Sequence, residues 1–62
     1  MNQQKATEVI KNLQSGVIVP NATILMTYGY LSGVKERHLN AFDVEKVKSI
    51  DKVLSFLKSK AK

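Results

Sequence analysis

Sixty-two residues with a net charge of +5, no cysteine and one histidine allow a single domain, and exclude a disulfide framework and a structural zinc site. A chain this short buries only about 60% of the surface it exposes when unfolded, so closely packed helices or a second subunit must supply stability, and a homodimer is expected. The surplus charge sits late: from Lys46 onward there are six lysines and one acid, Asp51. Such a balance favours a polyanionic partner, with nucleic acid ahead of an anionic membrane surface; the plain alternative is a solvated lysine face, which is common on small helical proteins.

The spacing predicts an all-α fold of four helices, at about 2–14, 22–31, 34–41 and 44–60. In the first, Ala6, Val9, Ile10 and Leu13 recur at i, i+3, i+4 and i+7 and form one apolar stripe. Asn2 is placed to cap its start, and Ser15-Gly16 to stop it, because glycine enters the left-handed C′ conformation cheaply. Val17-Ile18-Val19 is β-branched and bounded by Gly16 and Pro20, so it reads as an extended apolar linker; a short strand pairing with its copy in a dimer is the alternative.

Asn21 is the expected N-cap of the second helix, whose apolar face is Ile24, Leu25, Tyr28 and Leu31. Gly29 inside that helix costs about 1 kcal/mol relative to alanine, a cost expected to be offset by close approach of a neighbouring helix. A tight turn is expected at Ser32-Gly33. A short polar third helix then follows, in which Leu39 and Phe42 point one way and Glu36, Arg37 and Asn40 the other. Asp43, or Asn40 three residues earlier, caps the last helix. There Val47, Ile50, Leu54 and Leu57 make the stripe, while Lys58, Lys60 and Lys62 complement the helix dipole. Phe56 falls off the stripe, and with Val53 and Leu57 it marks an expected dimer or partner interface.

Residues 24–42 carry a further pattern: a small residue, Gly29, four before the turn glycine Gly33, then Val34 directly after it and Leu39 and Phe42 six and nine past it. This pattern resembles the helix-turn-helix of lambda-repressor-like DNA-binding proteins. The resemblance implies a small transcriptional regulator, of the kind found in bacteria or phages, that binds double-stranded DNA with residues 34–41 in the major groove. Lys35, Glu36, Arg37 and Asn40 would then face the bases, where arginine can pair with guanine and asparagine with adenine. Thr27 and Tyr28 would contact phosphates, which position the protein without reading sequence.

The alternative function is a small helical interaction module (an inhibitor, anti-repressor or adaptor) that docks onto a larger protein through its last helix. Catalysis is not expected: the chain has no cysteine nucleophile, glycine-rich phosphate loop or metal-ligand cluster, and His38 has no carboxylate at helical spacing. No cofactor is implied. The N-terminal segment lacks the apolar run of a signal peptide, and the most apolar stretch, Val17 to Leu31, is broken by Pro20-Asn21, so no membrane association is expected and the cytoplasm is the expected location.

Overall fold

The computed structural model describes residues 1–61, which form three helices: α1 (Gln3–Gln14), α2 (Asn21–Asn40) and α3 (Val44–Lys60). Lys62, expected to add to the charge at the end of the last helix, lies outside the described residues. The all-α class holds, but the described residues form three helices where four were expected, because the second and third are one.

Local signals account for most helix ends. The Asn2 side chain accepts a hydrogen bond from the Lys5 N–H at 2.8 Å, capping α1. At its other end Gly16 is left-handed, with φ +82°. The Gly16 N–H donates to the Leu13 carbonyl and the Val17 N–H to the Asn12 carbonyl, so the helix closes in a Schellman motif. Residues 17–20 are non-helical, as expected. Asn21 is not the N-cap: it is the first residue of α2, and the Pro20 carbonyl accepts from the Thr23 and Ile24 N–H groups.

The Ser32-Gly33 turn does not form; α2 runs through it without a break. Ser-Gly tolerates a turn but does not impose one, and an interior glycine costs a helix only about 1 kcal/mol. Against that stands a face that keeps one helical phase across the glycine. Ile24 and Thr27 are buried, and Tyr28, Leu31, Lys35 and His38 are half-buried. The face packs along α3, whose Val47, Leu54 and Leu57 are buried and whose Ile50 is half-buried. A break at Gly33 would forfeit the distal half of this seam.

α2 ends in a second Schellman motif: the Phe42 N–H donates to the Leu39 carbonyl and the Asp43 N–H to the His38 carbonyl. The left-handed C′ position here holds phenylalanine, at φ +58°. The chain reverses at once, Asp43 Oδ1 accepts from the Lys46 N–H at 3.3 Å to cap α3, and α3 runs back along α2. Ala6 and Val9 of α1 complete the core with Ile24, Thr27, Val47, Leu54 and Leu57. The molecule is elongated, 35 × 19 × 19 Å. Among the described residues no helix is long and apolar enough to cross a membrane.

Candidate functional site

α1 is much shorter than the helix it packs against. Its 12 residues span about 18 Å, whereas the 20 of α2 span about 30 Å. The C-terminal end of α1 sits near the start of α2, where Leu13 and Ile24 line the same recess, and its first residue, Gln3, borders a groove along the later turns of α2. About two helical turns of the α2–α3 pair are therefore left uncovered on the side that α1 occupies.

The uncovered stretch is a groove of about 650 Å³ lined by Gln3, Tyr30, Leu31, Val34, Arg37, His38, Lys46 and Ile50. Leu31, Val34 and Ile50 make an apolar floor, with the Tyr30 ring beside it. The ionisable groups at the rim, apart from the tyrosine, are Arg37, His38 and Lys46, and no lining residue is acidic. The floor exists because α2 keeps its phase past Gly33, and the rim because α3 begins at Val44, two residues before Lys46. Asp43 stands behind the rim, its Oδ2 3.8 Å from His38 Nδ1. The chain reversal thus gives His38 the carboxylate neighbour that sequence spacing alone denied it.

The residues expected to contact DNA do not share one face. Lys35 turns inward and forms an ion pair with Asp51 of α3. Thr27 is 0% exposed, and its hydroxyl donates to the Thr23 carbonyl at 2.8 Å, so it cannot reach a phosphate. Tyr28 is half-buried and lines a small apolar recess with Leu25, Leu57 and Lys58. Glu36, Arg37 and Asn40 are exposed on the last third of a continuous helix, with no separate recognition helix beneath them.

The expected interface on the last helix is also revised. Leu57 is 0% exposed and belongs to the core. Phe56 and Val53 are half-buried, and Lys60 Nζ lies 5.6 Å from the centroid of the Phe56 ring. The exposed aromatic is instead Phe42, 89% exposed, flanked by exposed Leu39 and Val44 at the α2–α3 reversal. Sequence reasoning missed Tyr30, Leu31, Val34, Lys46 and Ile50 as one site because a helix break at Gly33 was assumed between the first two and the rest. The 24-28-31-35-38 periodicity was the available signal.

No protein-family model, curated protein or solved structure matches this chain.

Proposed function

We propose that this chain is a small interaction module whose groove seats an acidic amphipathic helix from a larger protein. The observation that carries the reading is the uncovered seat beyond the end of α1: an apolar floor under a rim with basic and no acidic lining residues. A helix laid there buries its apolar face as α1 does further along, which is the helix-in-groove mode of recognition. Arg37, Lys46 and the overall charge of +5 attract an acidic segment and accelerate encounter, while the floor supplies the slow dissociation. Duplex DNA is the rival occupant of the same basic rim, and the lysines of α3 would serve it equally.

The two partners differ in what they ask of the floor. Fluorescence anisotropy of a labelled acidic amphipathic helical peptide, against the parent and Val34→Glu, separates them, with a duplex DNA pool run in parallel at two salt concentrations. The expected result is peptide binding that is lost in Val34→Glu, with far-UV circular dichroism unchanged. Peptide binding indifferent to Val34→Glu, or no peptide binding at low salt, would overturn the proposal. Duplex binding that weakens steeply with salt and ignores Val34→Glu would instead assign the basic surface to nucleic acid.

A further inference from the structure

The outward side of α2 has no partner within the chain, although its composition is that of a buried helix. From Asn21 to Val34 the sequence contains no charged residue. A helix stretch with no charged residue on any side has no strongly solvated face, and such a helix is normally covered on most sides. Here α3 covers one side and α1 part of a second, leaving Leu25 54% and Met26 60% exposed on the third. On the same side lie Gly29 and Gly33, and a Cβ built on either meets nothing within 4 Å. The expected contact between helices at Gly29 is therefore absent from the protomer, and the cost of two interior glycines has no internal compensation.

The total surface agrees. The protomer exposes 4671 Å². A folded monomer of 6.9 kDa is expected to expose about 4,000 Å². The excess of roughly 700 Å² approaches the ≈ 800 Å² that each partner buries in a standard protein interface.

We infer that two copies of the chain associate through this face, with their α2 helices side by side and parallel. The face is self-complementary in that orientation. At 100° per residue Gly29 and Gly33 run along the seam, Leu25 and Glu36 lie on one edge, and Met26 and Arg37 lie on the other. A two-fold axis along the helices brings each edge against the opposite edge of the partner, so Leu25 meets the partner's Met26 and Glu36 meets the partner's Arg37. An antiparallel pair would bring each edge against its own copy and set Glu36 against the partner's Leu25 and Arg37 against the partner's Met26, charge against apolar surface. The glycines let the two backbones approach closely. The groove beside α1 is centred on Leu31 and Val34, on a different side of α2, and shares only Arg37 with this seam, so Val34→Glu reports on the peptide site and Leu25→Lys and Met26→Lys on the association.

Sedimentation equilibrium of the full chain tests the association. The parent sediments as a dimer, and Leu25→Lys and Met26→Lys each weaken self-association at least about tenfold while helicity is retained, because each removes a side chain from the seam. A monomeric parent at high concentration, or a dimer unmoved by both variants, would overturn the inference. The native chain has no cysteine, so single-cysteine variants report the register without background. With a short bis-maleimide, Ala22→Cys and Asn40→Cys each cross-link to themselves in a parallel pair. Cross-linking only when the two variants are mixed means an antiparallel pair and refutes the orientation.

Discussion

Replacing Phe42 with glycine is expected to make the protein more stable, although it removes the largest side chain at the α2–α3 reversal. Phe42 occupies the C′ position of a Schellman motif at φ +58°. A residue with a Cβ pays about 1–2 kcal/mol to be left-handed, a cost glycine does not carry. Against this, glycine loses about 0.5–1 kcal/mol more backbone entropy on folding. Burial adds almost nothing to either side, since the ring is 89% exposed. The net gain is about 0.5–1 kcal/mol, which at 4–8 °C per kcal/mol for a domain this small raises the melting temperature by about 2–8 °C. Thermal melts by far-UV circular dichroism at matched concentration read this directly. Phe42→Ala is the control: it deletes the ring but keeps the Cβ, so its melting temperature stays near that of the parent. A drop in both variants would refute the reasoning, because it would mean that the ring is packed in solution. Retention of a strained, exposed phenylalanine where glycine fits better then has to come from something outside the protomer's own stability.

Three further outcomes follow from the packing. Leu57→Ala, at a core position with 0% exposure, should cost about 2–5 kcal/mol, much of the few kcal/mol available to a chain this size, and should be visible as loss of a cooperative urea transition. Asp43→Ala removes the cap on α3 and the carboxylate beside His38 and should lower stability by about 1 kcal/mol; Asp43→Asn, which can still accept from the Lys46 N–H, should recover most of that in the same urea melts. Lys35→Met should melt at or above the parent temperature, because it trades a partly exposed ion pair with Asp51 for apolar packing on the same seam, and a clear loss of stability would show that pair to be worth more than its exposure allows.

The reading of the sequence held where the deciding interactions are local. Asn2 and Asp43 cap helices because each side chain reaches an N–H three residues on, and Gly16 ends α1 because its own backbone tolerates φ +82°. The stripes Ala6-Val9 and Val47-Leu54-Leu57 were legible because helical periodicity places such residues on one face whatever that face meets. Ser32-Gly33 could not be settled in this way. Turn and helix differ there by about 1 kcal/mol of local preference, and the balance is tipped by Val47, Ile50 and Leu54, some fifteen to twenty residues away in sequence.

That one decision carried the candidate site with it. With α2 continuous, Arg37 and His38 join Lys46 around the floor of Leu31, Val34 and Ile50, Lys35 turns in to Asp51, and Thr27 is sealed in the core. The sequence by itself determined the helical class, most of the caps and which residues are apolar on each helix, because backbone hydrogen bonding and side-chain periodicity act within four residues. Only the tertiary structure decided how many helices there are, where α1 stops short and which surfaces are left uncovered, because those depend on what non-local burial gains against small local costs.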